Sequence, residues 1–310
     1  MRGIVFGLGS LMLKPDTLAL DFGSTYIYAA ANISGKAEVL IRYPVSSSQA
    51  RHLKRQPAAD PLAILFNEAK QQAEKLSGQE FSAVVCALRP GMDSFKPILE
   101  QALQKSGFKA VDFVSEPESV LRAYGSKDGC FGVFHFGGGF FDISIFRLSG
   151  EKMERLAYEQ DETIGGEDLT RRLADLCSEE ISEQWNVDLK KNPSWAEKIL
   201  DESEKAKISV AHRGSYDIRM QDPAKGKYVK AVSRYELMSV SQDLFDKMLS
   251  LTQKALQDSG LKAAAIDEIF LSGGSTRVPY VRDLIEKVFG KKPQAELNVD
   301  QVVVLGAALA

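Results

Sequence analysis

Two periods of hydrophobic alternation divide the chain. Residues 17–22, 26–33 and 38–43 are β-rich runs separated by glycine-containing turns, which predicts a three-strand meander. Residues 44–60 are polar, with Ser46, Ser47 and Ser48 followed by the basic cluster Arg51, His52, Lys54 and Arg55, and read as an exposed, solvated excursion. Apolar positions at helical spacing follow over residues 61–76, then a buried strand at 83–88, a helix at 94–106 and a strand at 110–114. Helices alternating with strands predict an α/β sheet.

Residues 117–124 read as a short helix with Pro117 in its first turn, and 132–136 with 141–148 as strands around a glycine turn. Here the pattern restarts. The strand-turn-strand unit around Asp21 returns around His135, 114 residues later, which predicts two related halves facing each other. Helical periods at 165–184 and 194–211, then β-like stretches at 216–220 and 228–232, predict a helical cap with a small sheet. Ser233 and Glu236 form a Ser-x-x-Glu capping box, predicting one long helix to about residue 258. A strand at 269–272 enters a glycine turn, a helix follows near Pro279, and a closing helix is expected over about 299–310.

Composition narrows the classes. Apolar residues at 44% and charged residues at 26% are the proportions of a folded globular chain, and 310 residues suffice for two lobes with substantial cores. A formal charge of -3, from 39 basic and 42 acidic side chains, argues against a nucleic-acid platform. Cys86, Cys130 and Cys177 are odd in number and far apart, the first two in apolar runs, so they read as buried thiols of a reducing cytoplasm. No run approaches the roughly 18 apolar residues of a membrane span, so no membrane partner is expected. Residues 1–15 are apolar with one early Arg, but Leu11, Met12, Leu13, Lys14 and Pro15 offer no small-x-small cleavage site, and the stretch reads as a flexible extension.

The candidate chemistry lies in three glycine turns. In the first, the strand ending at Asp21 runs into Phe22, Gly23, Ser24, Thr25 and Tyr26. Such a hairpin lets backbone N–H groups and hydroxyls approach phosphates, with the carboxylate able to organise hydrated Mg²⁺; alone, the same residues also make an ordinary β-turn. The second runs from His135 through Gly137, Gly138, Gly139 and Phe140 to Asp142. Three successive glycines cost so much backbone entropy that close approach of a ligand or of another backbone is expected. The third, Ser272, Gly273, Gly274, Ser275, Thr276 and Arg277, joins a strand to a helix start whose N–H groups suit a phosphate or the polar edge of a nucleotide, with Arg277 available to stack on a base. A Walker-type Gly-x-x-x-x-Gly-Lys-Ser/Thr loop is absent from the sequence.

In order and spacing these turns resemble the nucleotide-binding domain of DnaK-type (seventy-kilodalton heat-shock) chaperones from about Thr17 onward. The segment from Asp21 to Tyr26 is similar to the first phosphate loop, Gly137, Gly138 and Gly139 to the second, and Glu116, Pro117, Ala123, Tyr124 and Gly125 to the connecting segment. Gly165, Gly166, Glu167, Asp168 and Leu169 resemble one cap signature, and Glu204, Lys205, Ala206 and Lys207 the other. Gly273, Gly274, Ser275, Thr276 and Arg277 resemble the adenosine motif, and Asn298, Val299, Asp300, Gly306, Ala307 and Ala308 the closing helix. The resemblance implies an α/β, actin-like ATPase fold of two lobes, each with a ribonuclease-H-like mixed sheet flanked by helices, and with the first-lobe cap subdomain shortened. It places the first lobe at 16–129, the second at 130–310, the helical cap at about 165–258 and the adenosine motif at 270–279. It implies ATP or ADP held by Gly23, Ser24, Thr25, Gly137, Gly138, Gly139 and Gly166. Glu204 and Lys207 would flank ribose and adenine, with Gly274, Ser275 and Arg277 closing the other side, Asp300 nearby, and Gly273 also among the binding residues. Without the loops beside them, Glu204 and Lys207 would read as a solvated helix pair and Arg277 as a surface cation.

The chain departs from that family where the chemistry is done. Asp21 and Glu116 remain of the catalytic set, Asp21 holding Mg²⁺ through water, but His135 stands where the family has Asp and Phe140 where it has Thr. Imidazole is at best neutral toward the metal, and a phenyl ring donates to neither phosphate nor water. A packed core histidine explains His135 as well as a ligand role does. Phosphoryl transfer depends on positioning and charge neutralisation, so loss of both groups predicts weak or absent hydrolysis. The family's catalytic Lys belongs to the shortened subdomain, and Lys36, Lys54 and Arg55 carry no motif that would replace it; Ala211 stands for a Ser near adenine. The chain also stops where the family's linker to a peptide-binding domain would begin, so peptide binding is not expected of it. The expectation is a cytoplasmic, nucleotide-dependent conformational switch or scaffold that meets a protein partner, a co-chaperone or client complex. The alternatives are a slow Mg²⁺-dependent ATPase and an interaction protein in which Phe140 fills the phosphate space.

Overall fold

Strand β1 (Thr17–Phe22) is apolar on both faces because it runs through the middle of a sheet. Leu18, Leu20 and Phe22 enter one core cluster and Ala19 the cluster on the opposite face, as period-two alternation requires. The computed structural model describes residues 14–45, 58–150, 152–189 and 192–310. The basic and serine-rich stretch from Ser46 to Arg55, with Lys54, and most of the N-terminal extension lie outside the described residues.

After β1 come β2 (Tyr26–Ile33), β3 (Lys36–Pro44), α1 (Ala59–Ser77), β4 (Ala83–Leu88), α2 (Lys96–Lys105), β5 (Ala110–Ser115) and α3 (Glu116–Ala123). The second part of the chain opens with β6 (Gly129–Phe136), β7 (Phe141–Ser149) and β8 (Lys152–Asp161). There follow α4 (Gly166–Trp185), α5 (Pro193–Arg213), the hairpin β9 (Ser215–Asp222) with β10 (Gly226–Ser233), α6 (Arg234–Ser239) and α7 (Gln242–Asp258). The chain closes with β11 (Glu268–Ser272), a 3-10 turn at Gly274–Arg277, α8 (Pro279–Phe289) and α9 (Val302–Ala307).

Two mixed sheets result, and they share one plan. The first has the order β3-β2-β1-β4-β5 and the second β11-β6-β7-β8. In each, a central strand (β1 or β6) pairs antiparallel with the next strand of its meander and parallel with a later one (β4 or β11). The repeat visible in the sequence therefore extends over each whole sheet except β5. With its two packed sheets and flanking helices, the molecule has the two-lobed α/β architecture of the actin-like ATPases.

Helices α1 and α2 cover the outer face of the first sheet through Leu62, Leu65, Phe66, Leu99 and Leu103. The outer face of the second sheet carries the largest cluster, which includes Phe134, Phe141, Leu169, Leu173, Phe245, Met248 and Leu284. Each such side chain contributes roughly 1.5–3 kcal/mol on burial. Between the sheets lies a third cluster. There α3 (Val120, Leu121) and α9 (Val302, Val303, Val304) meet Ala19 and Tyr28 from one sheet and Phe131, Phe146 and Phe270 from the other. Proline sits in the first turn of α2, α3, α5 and α8, where its missing N–H is not needed.

Three expectations need correction. The long helix from Ser233 is two helices. Ser233 Oγ accepts the Glu236 N–H at 3.2 Å, but the Glu236 carboxylate goes to Lys230 at 2.9 Å, so only half of the capping box forms. The chain then breaks at Val240 and Ser241, which brings Leu237 together with Leu244 and Phe245 in one core. The closing helix is limited to Val302–Ala307, because the Val299 carbonyl is taken by the Gly273 N–H at 2.8 Å. Finally, Cys86 and Cys177 are buried as expected, whereas Cys130 is only half-buried. Among the described residues no helix is long and apolar enough to cross a membrane.

Candidate functional site

The two hairpin turns are built alike. The Gly23 N–H donates to the Tyr26 carbonyl at 2.9 Å, and the Gly137 N–H donates to the Phe140 carbonyl at 3.1 Å, the same bond displaced by the repeat distance. The two turns face each other closely. A Cβ added to Gly138 would stand 3.3 Å from both Ser24 Cβ and Thr25 Oγ1, and one added to Gly139 only 2.8 Å from Ser24 Oγ. Close approach to another segment is thus what the glycines of the second turn provide.

Helix α4 starts against that turn. Its first N–H groups, on Gly166 and Glu167, donate to the carbonyls of Gly137 and Gly138 at 2.9 Å each. Lys207 on α5 is buried: its Nζ donates to the Gly166 carbonyl at 2.9 Å and to Glu204 at 2.6 Å. Thr170 donates to the same Glu204 carboxylate and to the Gly166 carbonyl. Lys207 is therefore not the cation of a solvated helix pair, although the Glu204 side chain remains half-exposed. A buried ammonium requires such partners, since an unpaired one would bear a large desolvation cost.

The third turn closes on the second. Gly273, with φ at +89°, lies so near the second turn that a Cβ would stand 2.9 Å from the Gly137 nitrogen, so its lack of a side chain is required by conformation and space together. A Cβ on Gly274 would come within 2.7 Å of Asp300 Oδ1. Asp300 in turn pairs with Arg277 at 2.8 Å, and Asn298 accepts a second hydrogen bond from Arg277 at 2.9 Å. Ser275 is buried beside Gly166. Beside Arg277, Asn298 and Arg282 lies an open cavity of about 320 Å³. Gly166, Glu204, Lys207, Gly273, Gly274, Ser275, Arg277 and Asp300 thus form one continuous constellation with the second turn, and Ser24 and Thr25 face it from the first sheet. Asp300 also lies near Tyr28, whose hydroxyl is pushed up to about 12 by burial and then by the Asp300 charge.

Behind the second turn, Glu116, Pro117, His135, Asp142 and Ser272 line a crevice. His135 Nδ1 lies 3.2 Å from Ser272 Oγ, and its ring stacks on Phe140 with centroids 4.6 Å apart and planes at 20°. Phe140 is therefore committed to a stack. On the other strand of the hairpin Asp142 pairs with His135 and is almost wholly buried, with Oδ1 lacking a hydrogen-bond partner among the described residues. Burial first, and then the nearby Glu116 charge, push its carboxyl well above the usual carboxylate range, while Arg89 and Arg155 act in the opposite direction.

Neither Asp142 nor Arg89 is among the site residues expected from sequence. Asp142 is the last residue of the glycine motif, and an acid entering an apolar strand was the available signal. For Arg89 no local signal existed.

The raised Asp142 carboxyl makes a stability prediction. Unfolded, the group releases its proton near pH 4; folded, it keeps it to a higher pH. Over that window the unfolded state binds fewer protons, so stability falls as pH rises and the full cost is present above the folded value. Asp142→Asn is expected to melt no lower than wild type at pH 7 and to show a flatter fall in Tm between pH 4 and 7. A lower Tm with an unchanged slope would mean that Asp142 is ionised in the folded protein.

The groups gathered here are backbone N–H groups at glycine turns and the Ser24 and Thr25 hydroxyls, which can donate, and the carboxyl oxygens of Asp21 and Glu116, which can accept. The first set suits phosphate oxygens and the second a hydrated cation. No group of three or more His, Cys, Asp or Glu among the described residues is arranged to hold a metal ion by itself. A family model described as Hsp70 protein matches residues 49–310, a span that holds the second and third turns, both cap signatures and Asp300.

Proposed function

The chain belongs to the Hsp70 family, and on that premise we propose that it is a nucleotide-binding, chaperone-type module that works as a switch or scaffold, with ATP hydrolysis weak or absent. The observation that supports this best is the convergence of three glycine turns with Lys207, Glu204, Arg277 and Asp300 while His135 and Phe140 stack on each other. In this reading residues 16–129 form the first lobe and 130–310 the second, with the helical cap between about 165 and 258. Gly23, Ser24, Thr25, Gly137, Gly138 and Gly139 would hold the phosphates of ATP or ADP. Glu204 and Lys207 would flank the ribose and adenine, with Gly274, Ser275 and Arg277 opposite, Asp300 nearby, and Gly166 and Gly273 also against the nucleotide. Asp21 would hold Mg²⁺ through water, with Glu116 beside it.

When bound, Mg²⁺ supplies charge neutralisation for the phosphates. The protein's own part is to bind and orient: the turns present N–H groups, and the Arg277–Asp300 pair fixes the third turn. Closure of the lobes around the nucleotide would alter a surface offered to a protein partner, a co-chaperone or client complex, in the cytoplasm.

Nucleotide binding to the native state alone adds RT ln(1 + [L]/Kd), about 2.7 kcal/mol at a hundredfold excess over Kd. Millimolar ATP or ADP is accordingly expected to raise Tm, and Gly274→Val, which pushes a side chain into Asp300 and Arg277, to abolish the rise. No shift in wild type would end the nucleotide reading. A full shift in the variant would remove the third turn from the site.

A further inference from the structure

Arg89 is the first residue after β4, so it belongs to the first sheet, yet its guanidinium rests on the second. It lies over the Phe140 ring, 4.6 Å from the centroid, on the turn between β6 and β7. Its hydrogen-bonding partner is Glu162, just beyond β8. The Arg89 side chain is only 11% exposed, whereas that of Glu162 is 51% exposed. The same segment is approached a second time from the other sheet, since the Tyr158 hydroxyl on β8, which donates to Gln160 Oε1 at 2.8 Å, lies 3.4 Å from the Pro90 carbonyl.

Acids outnumber free cations around the facing turns: Asp21 and Glu116 stand on or beside them, Glu167 and Asp168 at the start of α4 are shared with Arg171, and burial raises the Asp142 carboxyl. A polyphosphate entering there needs a cation from the protein. Lys207 is already fixed by the Gly166 carbonyl and Glu204. Arg89 is differently placed. A guanidinium carries five N–H donors in a planar fork suited to phosphate oxygens, and Glu162 takes one of them. The Glu162 carboxylate is half-exposed and solvated, so exchanging it for a denser anion costs little. Arg89 also already acts on the crevice, as one of the two cations that oppose the upward push on Asp142.

We propose that Arg89 reads the terminal phosphate of a bound nucleoside triphosphate, exchanging Glu162 for it, so that triphosphate is distinguished from diphosphate by a residue that also bridges the two lobes. The inference rests on the nucleotide-binding reading above. A terminal phosphate would then pull the β4 end of the first sheet and the second turn onto the same group.

The test is calorimetric titration of the full chain with ADP and with a non-hydrolysable ATP analogue, at fixed Mg²⁺, for wild type, Arg89→Ala, Arg89→Lys and Glu162→Gln. Arg89→Ala is expected to weaken triphosphate binding ten- to a hundredfold and leave ADP within threefold. Arg89→Lys should keep the charge but lose the fork, and fall between. Glu162→Gln, which releases the guanidinium, should bind the triphosphate as tightly as wild type or more so. Melting curves establish folding, and if Arg89→Ala does not fold, the Lys and Gln variants carry the comparison. Equal effects on both nucleotides, or none, in a protein that binds ADP would overturn the role of Arg89 and leave the nucleotide reading standing. A wild type that binds neither ligand would overturn both.

Discussion

Changing His135 to Asp and Phe140 to Thr together is expected to raise Mg²⁺-dependent phosphate release about a hundredfold or more over wild type. The structure gives the physical terms. The His135 ring is held between Ser272 Oγ and the face of Phe140, so each of the two aromatic groups keeps the other in place. Removing one alone leaves its partner in the space, and the single changes should therefore gain less than the pair. In the double variant a carboxylate at position 135 would stand across the β6–β7 ladder from Asp142 and near Glu116. The new carboxylate and Glu116 repel one another until a cation arrives, and the charge at 135 raises Asp142 further, so the variant should also melt lower than wild type without Mg²⁺ and recover with Mg²⁺ and ATP. Each restored charge-organising or positioning group is worth on the order of 3 kcal/mol in the transition state. Since Lys36, Lys54 and Arg55 carry no motif for the family's catalytic Lys, the rescued rate is expected to stay below that of an ordinary family member. Steady-state phosphate release by the four proteins decides the matter. A wild type already as fast as an ordinary family ATPase, or a folded double variant without gain, would place the defect elsewhere.

Gly306→Ala is expected to be the most damaging small change to stability. Helices α3 and α9 cross between the two sheets, and a Cβ on Gly306 would fall inside the van der Waals envelope of the Ser119 carbonyl. The obstacle is backbone on a helix whose Val120 and Leu121 are themselves buried, so it has little freedom to withdraw. Overpacking of this kind costs on the order of 3 kcal/mol, which for a chain of this size lowers Tm by roughly 5 °C or more. By contrast, Gly150 has no atom within 4 Å of an added Cβ, and substitution there is opposed by its positive φ alone. A Gly306→Ala protein melting within a degree of wild type would show that the two helices can separate at almost no cost.

Much of the architecture was legible because its elements announce themselves locally. Central strands such as β1 and β6 are nearly continuous apolar runs, and helix starts carry Pro97, Pro117, Pro193 and Pro279. Strand β8 escaped because it is an edge strand. Its exposed positions are Lys152, Glu154, Arg155 and Gln160, and only Ala157 is buried, so no alternation stands out. The break at Val240 and Ser241 was hidden for a related reason: a capping box marks where a helix begins and says nothing of where packing will interrupt it. Within the site, the three turns were visible as glycine clusters. Arg89 was not, because its partners Phe140 and Glu162 lie 51 and 73 residues away on another sheet, and neither period nor motif reports such a distance. The burial of Asp142 is likewise a property of the assembled sheets and helices.

The start of α4 has a mechanical corollary. Its N-terminal amides are bonded to the carbonyls of Gly137 and Gly138, so the helix is a rod clamped at one end to the second turn. Twenty residues at 1.5 Å each make it about 30 Å long. A tilt of about 5° at the clamp would swing the far end by about 2.5 Å. At that end Trp185 meets the edge of Trp195, with centroids 5.2 Å apart, and Gln184 donates to the Lys227 carbonyl at 3.0 Å. Were the helix to move as a rigid rod, a displacement of a few tenths of an ångström in a glycine turn would reach the β9–β10 hairpin enlarged several-fold.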